Sequence, residues 1–293
     1  MDQRIADLLR LLELEPLEVN LFRGESRDIG SPQVFGGQVL GQALMAASRT
    51  VEGRIVHSLQ AYFLRRGDCN APIVYDVDRS RDGHSFSNRR VVAIQHGEQI
   101  FNMAASFQEL QKGLEHQIAM PRVPAPEMLP DTSLMPPELL ARLPERTRRL
   151  LATPRPFEFR SVQPLEDLQR AGAAPTRQIW FRAVSDVPDD ETLNRCLLAY
   201  VSDFHLLETA TLPHGISVAS GRAIVASIDH AMWFHRPLRL DDWLLYAVES
   251  PSASGARGFA RASVFARDGR LVASTAQEGL VRLIEEPAPG GPR

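Results

Sequence analysis

The chain is short of several things that would have pointed to a function. Among 293 residues it has one lysine, Lys112, so nearly all its positive charge is arginine. No basic run interleaved with aromatics occurs, and a formal net charge of −3 offers no electrostatic footprint for a nucleic acid. Its two cysteines, Cys69 and Cys196, lie far apart and give neither a disulfide framework nor metal-ligand spacing. No pair of histidines has metal spacing either. Free thiols suit a reducing cytosol, so a cytoplasmic protein is expected. No apolar run approaches the ~18 residues of a membrane span. The first residues, Met1-Asp2-Gln3-Arg4, lack a signal-peptide pattern. The Gly-x-Ser-x-Gly elbow of the α/β-hydrolases is missing, and no Rossmann or P-loop fingerprint occurs.

What is present is a 44% hydrophobic chain, long enough for one large domain or two smaller ones. Ile5, Leu8, Leu9 and Leu12 mark one face of a helix from Asp2 to Leu14, stopped by Pro16. A second helix, rich in small residues, opens at Gly36-Gly37; glycines there let another backbone or a ligand come close. Strands are predicted over His57–Phe63, Ile73–Arg79, Ser85–His96 and Glu98–Gln108, punctuated by Asp82-Gly83 and His96-Gly97. From 111 to 176 prolines recur. This stretch reads as a linker over the surface, with short helical pieces at Pro137–Leu143 and Glu145–Ala152. Order then returns: a strand Gln178–Val184, a helix Glu191–Ala210, and strands Ile224–Phe234, Trp243–Pro251, Gly258–Arg267 and Arg270–Arg282.

The halves repeat. Ala61-Tyr62-Phe63-Leu64-Arg65 lies over Met232-Trp233-Phe234-His235-Arg236, and the same shift sets Ile73–Val77 on Leu244–Val248. So long a period indicates a duplicated domain rather than a solenoid. The expected organisation is two α+β units, 1–110 and 177–285, with the proline-rich linker 111–176 between them and a loose tail 286–293. Each unit is an antiparallel sheet wrapped around one apolar helix.

In Leu197–Ala210 apolar residues occupy nearly every helical face, and Asp203 sits among them. Its neighbours three and four residues away are Ala199, Tyr200, Leu206 and Leu207. A carboxylate so placed needs a partner, a proton or a job. From these residues alone, an Asp satisfied by backbone N–H groups or an arginine stands level with a catalytic base. His230, adjacent to Asp229, makes a poor dyad with it, because neighbouring strand residues face opposite ways; His230 reads as structural or pocket-lining. Arg65, Arg89, Arg90 and Arg257 suit phosphates but equally suit solvated strand positions.

Phe35-Gly36-Gly37-Gln38-Val39-Leu40-Gly41-Gln42-Ala43, Asp82–Val91, Ala104–Gln108, Tyr200-Val201-Ser202-Asp203, Ile228–Pro237 and Ser274–Gly279 together resemble the acyl-CoA thioesterase II (TesB-type) family. The match runs from about Leu8 to Arg282. It implies a double hotdog fold, in keeping with the repeat, and hydrolysis of acyl-CoA to CoA and a fatty acid. It also implies a catalytic set of Asp203, Ser227 and Gln277 holding the attacking water, with no cofactor and no acyl-enzyme. Many members carry Thr at the position of Ser227; the hydroxyl is kept, the β-branch is not. Two other functions stay on the table: a non-catalytic acyl-CoA sensor, and a hotdog enoyl-CoA hydratase. The Gly-rich Asp and His motif of hydratases is not found here. Exposed hotdog edges and sheet faces lead us to expect a homodimer or homotetramer.

Overall fold

The computed structural model describes residues 1–30, 33–132, 141, 145, 148, 153–168, 170–216 and 222–284. The helical pieces predicted at Pro137–Leu143 and Glu145–Ala152, and the tail, lie outside the described residues apart from isolated positions.

Two short hydrogen-bond caps start two of the helices. In α1 (Gln3–Leu12) the Asp2 carboxylate accepts the Arg4 N–H at 2.8 Å. In α3 (Glu191–Ser202) Asp190 accepts the Leu193 N–H at 2.8 Å. The helix α2 (Gly36–Ser48) has Phe35 at its N-cap and no cap from its own side chains.

The strands follow a period-two alternation and assemble into one 13-stranded antiparallel sheet. In the first half these are β1 (Glu15–Glu18), β2 (Leu21–Gly24), β3 (Ile55–Phe63), β4 (Ile73–Asp82), β5 (Phe86–Gln95) and β6 (Glu98–Gln108). The second half supplies β7 (Phe157–Ser161), β8 (Thr176–Ala183), β9 (Ala223–Ser227), β10 (Asp229–Phe234), β11 (Leu244–Ser254), β12 (Arg257–Ala266) and β13 (Leu271–Leu283). The order is β1-β2-β4-β5-β6-β3-β10-β13-β12-β11-β8-β7, with β9 set against β13. The halves mirror one another about the β3–β10 seam. There Tyr62 faces Asp229 and Ser58 faces Trp233. The sequence repeat is therefore visible as topology: β3 and β10, the strands that the repeat superposes, are the ones that join.

Inside the sheet lie α2 and α3, packed antiparallel at very close range. A Cβ on Gly37 would sit 2.2 Å from the Tyr200 carbonyl oxygen, and one on Gly41 would sit 3.1 Å from that of Cys196. The small-residue stripe is thus backbone packed on backbone, one turn apart on each helix. Leu40, Leu44, Leu197 and Leu198 are fully buried around it.

Three features differ from expectation. The helix expected to run to Ala210 ends at Ser202, and Asp203 is its C-cap rather than a mid-helix residue. His205 then takes φ 64 and a 3-10 segment, Leu207–His214, follows. The apolar run stays buried after the turn because Leu207 packs where Gly258 and Gly279 leave space. A continuous apolar run reports continuous burial, not a continuous helix. Second, the strand expected over Ile224–Phe234 is two strands, broken at Ile228. Third, the proline-rich stretch contributes β7, paired along β8, and the N-terminal segment adds β1 and β2 as an edge ribbon.

Substituting Gly37 with alanine drives a Cβ into a backbone oxygen that cannot swing away. A loss of about 1–3 kcal/mol or more is expected. Gly113→Ala is the control: nothing lies within 4 Å of its added Cβ, and a change within about 0.5 kcal/mol is expected. Thermal unfolding of the two variants checks this; equal melting temperatures would contradict the packing described.

Candidate active site

The site is built at the seam, where the end of α3 meets the start of α2. As the C-cap of α3, Asp203 carries its carboxylate to the first turn of α2, where it accepts the Gly37 N–H. A Cβ on Gly36 would lie 2.7 Å from Asp203 Oδ2, so the glycine makes room for the carboxylate. From β13, Gln277 donates through Nε2 to Asp203 Oδ1 at 2.8 Å. Ser227, at the end of β9, hydrogen-bonds the same carboxylate. The Asp203 side chain is 7% exposed and Gln277 is wholly buried. The three residues picked out by sequence therefore converge on one point.

Ser227 reaches that point only because the strand breaks. Regular alternation would put Ser227 and His230 on opposite sheet faces. At Ile228 the register against β13 moves by one residue: Ala231 faces Ala276, yet Ser227 faces Gly279. The break is held by Ile228 N–H on the Glu278 carbonyl at 2.9 Å and by Phe63 N–H on the Ile228 carbonyl at 2.9 Å. Such an irregularity re-aims a side chain, and here it turns the hydroxyl inward onto Asp203.

Burial raises the pKa of Asp203, while the bonds from Gln277, Gly37 and Ser227 pull it down; burial prevails. Gln277 Oε1 is buried and, among the described residues, has no hydrogen-bond partner. An unpaired acceptor beside a partly ionisable carboxylate suits a group that brings its own protons, such as water.

His230 belongs to this network, which sequence reasoning did not show. It is fully buried, and Gln277 Nε2 donates to its Nδ1 at 3.0 Å. Burial pushes its pKa down to about 3, so the ring is neutral. Its Nδ1 is 4.0 Å from Asp203 Oδ1, with the Gln277 amide bonded to both; the two are not an ion pair. Asp229 faces away, as alternation predicts, and accepts the Glu278 N–H at 2.7 Å.

Tyr200 and Phe204 flank Asp203, and Phe35 packs on both rings, at 5.2 and 4.4 Å between centroids. Arg155 lies over the Phe204 ring at 4.9 Å. Tyr200, Phe204 and Arg155, with Arg27, Asp28, Ile29 and Pro156, line a narrow cleft. Of the arginines considered for phosphates, Arg89 is buried and engaged with Asp82 and Thr50, Arg65 pairs with Glu98, and Arg257 pairs with Glu278. A cavity of about 400 Å³ at the opposite end of α2 is lined by Arg49, Arg54, Arg79 and Arg89, but each guanidinium is already hydrogen-bonded to the protein.

This sheet-and-helix arrangement is a double hotdog, and the residues gathered at its seam fit hydrolytic chemistry. Residues 152–280 match the family model for acyl-CoA thioesterase, and residues 23–108 match that for the acyl-CoA thioesterase N-terminal domain. The chain is 45% identical to acyl-CoA thioesterase 2 of Haemophilus influenzae, covering 97% of this chain and 100% of that protein. It is 42% identical to human acyl-coenzyme A thioesterase 8, over 96% and 91% of the two chains. The crystal structure of acyl-CoA thioesterase II TesB2 from Mycobacterium marinum superposes with a TM-score of 0.78 at 43% identity, covering 94% of this chain and 98% of that one. The chain belongs to the TesB-type acyl-CoA thioesterase family.

Two titrations check the electrostatics. The Asp203 carboxyl carbon should titrate above the ordinary aspartate value of 3.8. Because its folded pKa is raised, the native state holds this proton more tightly than the unfolded chain does. Its contribution therefore favours folding at low pH and is lost as pH rises through the raised value. His230 should stay neutral throughout the range from pH 5 to pH 8 that brackets the ordinary histidine pKa. An Asp203 midpoint below 3.8 would contradict the dominance of burial.

Proposed function

We propose that the chain is an acyl-CoA thioester hydrolase that releases CoA and a fatty acid by direct attack of water, using Asp203, Ser227 and Gln277. The observation that carries this reading is a buried carboxylate tied to a buried amide whose own oxygen is left unpaired at the same point. A thioester is an activated acyl group, so an oriented and deprotonated water suffices. Asp203 accepts the water's proton as general base. Its raised pKa makes it a stronger base than a solvated carboxylate while ionised. Ser227 and Gln277 hold the carboxylate and the water in fixed positions, which replaces the entropy cost of a chance encounter. The thioester oxygen gains charge as water attacks and needs fixed donors, for which backbone N–H groups at a helix start are suited. The acyl-CoA relatives support the substrate class.

We further propose two hotdog units, 1–110 and 177–285, joined by the 111–176 segment, whose strand Phe157–Ser161 extends the sheet of the second unit, in a cytoplasmic protein. Cys69 and Cys196 are not disulfide-bonded to each other, in keeping with that compartment. Among the described residues no helix is long and apolar enough to cross a membrane. Leu110 and Leu114 are exposed by 83% and 104% on an extended segment. Exposed edges and sheet faces of the hotdog units support association of chains. Sedimentation at micromolar concentration should find a dimer or tetramer; a monomer throughout would reject the assembly.

Free-thiol release from a panel of acyl-CoAs tests the activity. Asp203→Asn should lower kcat by on the order of 10²–10⁴-fold with the fold kept. Gln277→Ala should be comparably damaging. Ser227→Ala should cost less, and Ser227→Thr should be close to the parent. Wild-type turnover surviving in Asp203→Asn would reject the mechanism. Saturable binding of acyl-CoA without thiol release would favour a sensor, and hydration of an enoyl-CoA without thiol release would favour a hydratase.

A further inference from the structure

The hydrogen-bond chain behind Gln277 can be assigned proton by proton. The Gln277 amide nitrogen has two hydrogens. One goes to Asp203 Oδ1 at 2.8 Å and the other to His230 Nδ1 at 3.0 Å. His230 Nδ1 is therefore an acceptor and carries no proton. The neutral ring then carries its hydrogen on Nε2, which lies 3.0 Å from Ser202 Oγ and 3.1 Å from Thr275 Oγ1. Each hydroxyl has a single hydrogen, and each has a backbone carbonyl to receive it. Ser202 Oγ is 2.9 Å from the Ala199 oxygen, and Thr275 Oγ1 is 2.9 Å from the Ala231 oxygen. Both hydroxyls are thus free to accept from Nε2–H. All of these side chains are buried, so no bulk water competes for the bonds.

We infer that His230 is a positioning residue: Ser202 and Thr275 fix its Nε2–H tautomer, and its bare Nδ1 holds the Gln277 amide with nitrogen on Asp203 and oxygen toward the attacking water. This rests on the hydrolase reading above. It also refines it, because Gln277 then meets the water as an acceptor. Turned the other way, the amide would set its oxygen against both the carboxylate and the bare Nδ1, which repel it. With Gln277 Oε1 and Asp203 taking the water's two hydrogens, its lone pairs are left on the side of the thioester carbon. The titratable group facing the imidazole is Asp203, 4.0 Å from Nδ1.

Two readouts test the assignment. In ¹⁵N-histidine-labelled protein, the resonances lost in His230→Asn identify the ring. They should report a protonated Nε2 and an unprotonated Nδ1 from pH 5 to pH 8, the range in which an ordinary histidine titrates. An Nδ1–H tautomer or an imidazolium in that range would overturn the proposal. Kinetically, His230→Leu should lower kcat on the order of 10²-fold while KM moves less than about threefold, the scale expected when a reacting group is displaced. Asn offers an oxygen near the place of Nδ1, so His230→Asn should recover about tenfold of that loss. In His230→Leu the amide turns freely and no longer donates steadily to Asp203, so the acid limb of kcat/KM should move to higher pH. A purely structural histidine predicts equal losses in both variants with the limb unmoved, and that result would overturn the proposal. If the unsubstituted chain released no thiol, the hydrolase reading would fail, and the tautomer spectrum would still decide the hydrogen-bond assignment.

Discussion

A carboxylate from one half of the chain occupies the start of a helix from the other. Asp203 accepts the Gly37 N–H at the first turn of α2, a helix whose own N-cap residue is Phe35. The positive end of the helix dipole and an otherwise unpaired N–H meet a negative group that would be costly to bury alone. Two geometrical demands follow. There must be no side chain at 36, where a Cβ would touch the carboxylate, and none at 37, where it would strike the Tyr200 carbonyl. The Gly-Gly pair is thus the means by which the two central helices come near enough for one to cap the other.

That cap explains why the site lies at the seam of a duplicated fold. Either half supplies a sheet and a helix, but the carboxylate comes from α3, its N–H donor from α2, and its other partners from β9 and β13. The helices are locked by close backbone packing and the sheets by the β3–β10 pairing. Carboxylate, hydroxyl and amide are consequently placed by four packed elements rather than by a loop, which is what precise orientation of a small nucleophile requires.

Much of this is readable in the amino-acid sequence. Turn signals such as His96-Gly97, where both residues take positive φ, and the period-two runs located the central strands of each half. The repeat gave their order. Two things escaped. The run Leu197–Ala210 looks like one helix because every face is apolar; its break at Asp203 is forced by partners distant in sequence, Gly37 and Gln277. The interruption at Ile228 left no composition signal, since Ser227-Ile228-Asp229 could sit in a regular strand. Its cause is the register of β13 on one side and β3 on the other. Asp203, Ser227 and Gln277 follow from family resemblance, whereas His230, judged against its sequence neighbour Asp229, reads only as structural or pocket-lining. Its true partner stands across the sheet on β13, and cross-strand partners are invisible without the register.

The same register settles what kind of histidine this is. A histidine near a carboxylate invites a charged dyad, but an imidazolium here would compete for the carboxylate's charge and weaken Asp203 in its proposed role as base. Burial keeps the ring neutral, with its pKa near 3, although Asp203 stands 4.0 Å away. An amide between ring and carboxylate carries orientation across and leaves no proton for exchange. One face of Gln277 is consumed in this way and the other, Oε1, is left as the unpaired acceptor. In the proposed mechanism the network therefore concentrates its proton chemistry in a single group, Asp203, and gives every other member a fixed donor or acceptor role. A site with one titrating residue and several locked ones tolerates changes of pH around the base without losing the geometry that makes the base useful.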